Sequence, residues 1–130
     1  MTQQGADEQA NRRLVAAVYE HVLQPLDSSR VDEFFAPGYI QHNPLTETGP
    51  EGLKRFLDWA REQTPNAVHH VKRILVDGDY AVAHVHVVIH PGDAGNAVVD
   101  IFRIEGGKIA EHWDVAQPVP PEVRNSNGMF

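Results

Sequence analysis

The chain has 130 residues, eight histidines, no cysteine and a net charge of −7. That length supports one core, since folding a domain of this size hides roughly two-thirds of the chain's surface, and the lack of cysteine excludes disulfides, thiolate chemistry and Cys-ligated zinc. No Lys/Arg cluster offers a phosphate-binding face for nucleic acid, and no apolar run reaches the length of a membrane span or a secretory signal, so a soluble cytoplasmic protein is expected.

From about Asp7 to Leu23, the residues Leu14, Val15, Val18 and Val22 recur at three- and four-residue steps, the stripe of an amphipathic helix that Pro25 ends. Asp27 then caps a short helix through Phe35, its carboxylate accepting from the free N–H groups of the first turn, and "APG" closes that helix. A third helix opens at Gly49-Pro50 and runs to about Gln63, with Leu53, Phe56, Leu57 and Ala60 on one side. Beyond "TPN" the periodicity becomes that of strands. The turn signals "DGD" at 77–79, "HPGDAGN" at 90–96 and "EGGK" at 105–108 separate β-rich segments at about 67–76, 80–90, 97–104 and 108–116. Helices followed by an antiparallel meander make an α+β fold in a single domain. Its tail, residues 119–130, is rich in proline and reads as irregular, packed over an edge or across a partner.

The last hairpin, "DIFRIEGGKIAEHWDV" at 100–115, admits two registers. A two-residue turn at Gly106-Gly107 sets Asp100 opposite Trp113 and sends His112 and Asp114 to the other face. A three-residue loop, Glu105 to Gly107, pairs Ile104 with Lys108 and Asp100 with His112. The second is favoured because a glycine then sits where positive φ is needed. Asp100, Phe102, His112 and Asp114 then share one face, and Val99, Ile101, Trp113 and Val115 share the other, which reads as a homodimer surface. Two acids and an imidazole under covering helices would be costly unless they line a cavity, where burial and neighbouring charge set which acid is ionised. A buried, hydrogen-bonded Asp100–His112 pair with no catalytic role is the alternative.

"HVHVVIH", residues 84–90, places His84 and His86 on one face of a strand, but no Glu follows nearby and no Cys exists to complete a ligand set. The opposite face, Ala81, Ala83, Val85, Val87 and Ile89, is the more apolar, so both imidazoles are expected to point away from the core. No metal is expected. His69 and His70 are adjacent and point oppositely, leaving at least one at a surface.

"YIQHNP" at 39–44, the "GPEGLKRFL" helix and "DIFRIEGGKIAEHWDV" together resemble the SnoaL-like polyketide cyclase family, in particular its predicted aldol-condensing branch, within the nuclear transport factor 2-like superfamily. The likeness spans roughly residues 10–118 and implies a cone-shaped barrel of about three N-terminal helices packed on a strongly curved antiparallel sheet. It implies that Asp114, in "EHWD", is the general acid/base, like similarly placed acids in limonene epoxide hydrolases. Asp100, in "DIFR", resembles the acid that ketosteroid isomerases keep protonated to stabilise a dienolate. "QHNPL" resembles the segment that positions a nucleophilic water in the epoxide hydrolases, with His42 standing where those have Asn. That segment is expected to cross the mouth of the cone, with His42 inside and Gln41 and Asn43 at the rim. Turn-forming hydrogen bonds ahead of Pro44 are the other reading of Gln41 and Asn43. Tyr39 and Phe102 complete the substrate-binding set.

The function expected from these residues is cofactor-independent acid/base chemistry on a hydrophobic carbonyl compound: an aldol-type cyclisation, an isomerisation or a dehydration. Asp114, assisted by His112, moves a proton at the carbon next to the carbonyl, and Asp100 or His42 stabilises the enolate oxygen. A non-catalytic small-molecule binder or dimeric accessory domain is the alternative, because this fold hosts both.

Overall fold

The computed structural model describes residues 3–130. Helix α1 (Gln3–Val18) runs into a π-helical turn over Tyr19–Leu23, and Val15, Val18, Tyr19 and Val22 are buried along it. Leu26, at φ 54°, reverses the chain after Pro25. Asp27 caps the following 3₁₀ turn, accepting from the Ser29 backbone N–H at 3.0 Å, a contact worth about 1 kcal/mol at an N-cap. Helix α2 (Val31–Phe34) is one turn long, and helix α3 (Gly49–Gln63) carries proline in its first turn and buries Leu53, Leu57 and Ala60.

Four strands form the antiparallel meander that the sequence predicts: β2 (Val68–Asp77), β3 (Tyr80–Val88), β4 (Asn96–Glu105) and β5 (Lys108–Pro118). A fifth strand departs from that expectation. "APG" does not close a helix; it lies within β1 (Phe35–Gln41), which pairs in parallel with β5 and makes the sheet mixed, in the order β1-β5-β4-β3-β2. Pro37 is tolerated because β1 is an edge strand, and the register slips between Phe35 and Ile40 where Pro37 and Gly38 bow out of the ladder. The sheet is not closed. Helix α1 covers β2 and β3 on the concave side, and α3 covers β1.

The terminal hairpin follows neither register weighed for it. Gly106 and Gly107, at φ 59° and 75°, form a two-residue turn with Glu105 opposite Lys108, a geometry that matches the twist of the strands and that glycines adopt without strain. Ile104 then faces Ile109, but Arg103 faces Glu111, so one extra residue, Ala110, is accommodated as a bulge and both Ile109 and Ala110 are buried. Asp100 therefore lies opposite Asp114, not His112, and Phe102 lies opposite His112. The bulge restores the parity that the short turn alone would have inverted. All four residues share the concave face.

Ala81, Ala83 and Val85 are buried in the core, and His84 and His86 lie on the other side of the sheet, stacked on Phe130 with ring centroids 5.6 and 4.3 Å away. The tail beyond Pro118 is irregular, and its last residue rests on this outer face. Among the described residues, no helix is long and apolar enough to cross a membrane.

Candidate active site

A cavity of about 350 Å³ opens between the concave sheet and the helices. Its walls are mostly hydrocarbon, with Leu23, Leu53, Val98 and Phe102 among them, and its polar groups come from β1, β2, β4, β5 and the segment after β1. Phe102, 1 % exposed, forms the floor and stands edge-on to Tyr19, with centroids 6.2 Å apart. Hiding such a ring contributes roughly 1.5–3 kcal/mol, which helps offset the polar groups beside it.

Tyr19, Asp100, His112, Gln41 and Tyr39 form one hydrogen-bonded chain. Tyr19, delivered by the π-helical turn, donates its hydroxyl to Asp100 Oδ2. Asp100 Oδ1 meets His112 Nε2 at 2.9 Å, and His112 Nδ1 meets Gln41 Oε1 at 2.7 Å. The Asn43 backbone N–H also donates to Gln41 Oε1, at 3.0 Å, which fixes the amide's orientation, and Gln41 Nε2 donates to the Tyr39 hydroxyl at 3.0 Å. An amide oxygen only accepts, so His112 Nδ1 carries a proton. The close contact on its other nitrogen requires a second proton, shared between Nε2 and Asp100. Asp100 and His112, each 9 % exposed, thus form a closed pair with every side-chain donor and acceptor occupied.

Asp114 is different. Asn43 Nδ2 donates to its Oδ2 at 2.8 Å, while Asn43 Oδ1 accepts from the Leu45 N–H at 2.8 Å. Asn43 is thereby both the turn former and an anchor for the acid. Among the described residues, Oδ1 of Asp114 has no hydrogen-bond partner, and the side chain is half-buried at the cavity wall. Beside it, burial pushes the hydroxyl of Tyr39 well above the ordinary tyrosine range, and the charges of Asp100 and Asp114 push it further. Tyr39 therefore stays protonated. Its oxygen accepts from Gln41, and its own O–H has no acceptor among the described residues, which leaves it available to a ligand.

One expected member of the site is not in it. His42 lies on the outer side of the sheet, stacked on Trp113 at 4.8 Å and paired with Glu111 at 2.6 Å, whereas Gln41 and Asn43 line the cavity. The alternation of β1 decides this, because Phe35 and Tyr39 are buried and Ile40 is 42 % exposed, which carries Gln41 inward and His42 outward. His42 cannot stabilise an enolate inside the cavity. Both oxygens of Asp100, for which the resemblance implies a role at the enolate, already serve Tyr19 and His112.

The sequence does not point to Tyr19, which donates to Asp100 from behind the cavity wall, or to His69 as a lining residue. Tyr19 sits four positions after Val15 on the buried stripe, and a tyrosine there needs a partner for its hydroxyl, which was the available signal. Asp100, His112 and Asp114 offer ligand atoms within 4.8 Å of one another, a spacing a divalent cation could bridge. Those of Asp100 and His112 are already engaged in hydrogen bonds.

The sequence profile of the SnoaL-like domain matches residues 15–112. Solved structures with the same fold include a SnoaL-like polyketide cyclase from Agrobacterium tumefaciens, 14 % identical with a TM-score of 0.69 over 82 % of this chain and 91 % of that one. TsrD from Streptomyces laurentii is 24 % identical, with a TM-score of 0.64 over 89 % of this chain and 90 % of that one. A loop-truncation variant of IdmH is 20 % identical, with a TM-score of 0.67 over 82 % and 91 %. No curated protein matches the chain.

Proposed function

The chain belongs to the SnoaL-like domain family, and from that premise we propose that it is a small enzyme in which Asp114 acts as general base on a hydrophobic carbonyl compound. The observation that carries this reading is Asp114 at the wall of a mostly apolar cavity of about 350 Å³, its Oδ2 held by Asn43 and its Oδ1 without a hydrogen-bond partner among the described residues. A carboxylate in that setting removes a proton from the carbon next to a ligand carbonyl, and the enolate oxygen receives the free O–H of Tyr39. Gln41 polarises that hydroxyl, and the Asp100–His112 pair holds Gln41 in place. Returning the proton to another atom gives an isomerisation; attack of the enolate on a second carbonyl gives an aldol-type cyclisation; loss of a β-hydroxyl gives a dehydration. The label of the Agrobacterium neighbour, a polyketide cyclase, is in keeping with this chemistry. A cytoplasmic location goes with this reading, in keeping with a sequence free of cysteine.

The first step is testable without knowing the last. In D₂O, the protein is expected to exchange the α-hydrogens of 2-tetralone faster than buffer does, followed by NMR. Exchange at the buffer rate, with the ketone shown to bind, would favour a non-catalytic binding role.

We propose further that the outer sheet face pairs two copies of the chain. Ile101 lies beside Trp113 and Val99 beside Val115, which is 68 % exposed, so an apolar patch spans two neighbouring strands, and a two-fold axis brings it against itself. Light scattering of the wild type should give a dimer, and Val115→Glu a monomer. A monomeric wild type at high micromolar concentration removes this part.

A further inference from the structure

A second imidazole faces the cavity, outside the Asp114 constellation. His69, on β2, pairs in register with Val87 on β3, which in turn pairs with Asn96 on β4, and all three line the cavity. Its neighbour His70 points to the outer face, where its ring lies 5.8 Å from His86.

The surroundings of His69 fix its tautomer. Gln24, at the end of the π-helical turn, donates from Nε2 to the Ala67 carbonyl at 3.1 Å and accepts at Oε1 from the His69 backbone N–H at 2.6 Å, so its orientation is set at both ends. The same Oε1 lies 3.3 Å from His69 Nδ1. An amide oxygen has no hydrogen to give, so Nδ1 must carry one. A neutral ring protonated there leaves a lone pair on Nε2, which has no hydrogen-bond partner among the described residues. Burial holds the imidazole below the usual histidine range against the opposing pull of Asp100, with His70 adding to the lowering, so the ring is neutral at pH 7.

We propose that His69 is a specificity-determining contact for the ligand, a neutral imidazole locked by Gln24 as the Nδ1–H tautomer that accepts a ligand hydroxyl hydrogen at Nε2. This rests on reading the cavity as the ligand site and deepens it. A carbonyl at Tyr39 and Asp114 together with a hydroxyl at His69 describes a hydroxylated, enolisable ketone. The cavity lies at the small end of ligand sites, typically about 300–1,000 Å³, which fits a compact fused-ring skeleton. A ligand with an ether or hydrogen-free carbon at that point leaves the lone pair unpaired and is disfavoured, because a buried polar group without its partner is costly.

The test has two arms on the intact protein. Long-range ¹H–¹⁵N correlation spectra of ¹⁵N-histidine-labelled protein at pH 7.5 should show His69 as the Nδ1–H tautomer, and adding 6-hydroxy- or 7-hydroxy-1-tetralone should shift its Nε2 resonance. His69→Phe, which keeps a ring in place, should weaken the hydroxytetralones about tenfold while changing the affinity of their methyl ethers little. An Nε2–H tautomer in the free protein overturns the proposal. So does an Nε2 resonance unmoved by millimolar hydroxytetralone, or equal losses for alcohol and ether. None of these readouts depends on turnover, so a failure of the base assigned to Asp114 is seen separately, in the deuterium exchange.

Discussion

Consecutive residues of strand β5, Glu111 and His112, each join an imidazole–carboxylate pair, on opposite faces of the sheet. Inside, His112 meets Asp100 at 2.9 Å with side chains 11 % and 12 % exposed; outside, His42 meets Glu111 at 2.6 Å with side chains 41 % and 17 % exposed. The shorter contact is the less consequential one. Glu111 also accepts from Arg103 at 2.9 Å, and its carboxyl is held below the usual range first by His42 and then by Arg103, but water can replace either partner. The inner pair has no such substitute. What separates the two is the setting, because the inner pair is closed by Tyr19 and Gln41 and stands beside Asp114, whose Oδ1 has no hydrogen-bond partner among the described residues.

Breaking each pair should expose that difference. Removing one partner of a buried pair strands the other, so Asp100→Ala is expected to destabilise the fold by about 3–5 kcal/mol, read by urea denaturation. A loss below 1 kcal/mol would mean that water reaches His112. Next in size, Tyr39→Phe should leave the fold intact and slow α-hydrogen exchange about a hundredfold, as loss of one oxyanion donor does; an unchanged rate would pass the donor role to another group. A pH scan sharpens the contrast more gently. His69 is held below its ordinary range, so the unfolded chain takes up that proton first and Tm should fall as pH drops below about 6.5. Tyr19 and Tyr39 are held above theirs, so the folded state keeps phenol protons that the unfolded chain loses near pH 10, and Tm should fall again as pH climbs past about 10. His69→Phe should flatten the acid limb, and an unaltered limb would contradict the burial of that ring. Smallest of all, Glu111→Gln should leave Tm at pH 7 within experimental scatter, and a large drop would show the outer pair to be structural.

The alternation rule read the two halves of this site with unequal success. In the terminal hairpin, the parity of Asp100, Phe102, His112 and Asp114 was legible although the turn was not, because the short Gly106-Gly107 turn and the bulge at Ala110 each shift the register by one, and a shift of two moves the partners but keeps every side chain on its face. A bulge leaves no mark in the sequence beyond two consecutive inward residues, here Ile109 and Ala110. At 39–45 no such compensation occurs. Pro37 and Gly38 read as breakers, so β1 went unseen, and with it the alternation that sends His42 outward. Helix α3 was legible from its proline and its apolar stripe, as was the Asp27 cap. Tyr19 and His69 were hidden for another reason: their roles depend on partners 81 and 45 residues away in the chain, Asp100 and Gln24, which no local pattern links to them.

The proposed chemistry begins with the open oxygen of Asp114 taking a proton from carbon. Deuterium exchange into 2-tetralone by Asp114→Asn, measured beside the wild type at equal ketone occupancy, tests it most directly. A fall of about 10²–10⁴-fold is expected, with the ketone's affinity nearly unchanged. Exchange by the variant at the wild-type rate would contradict it.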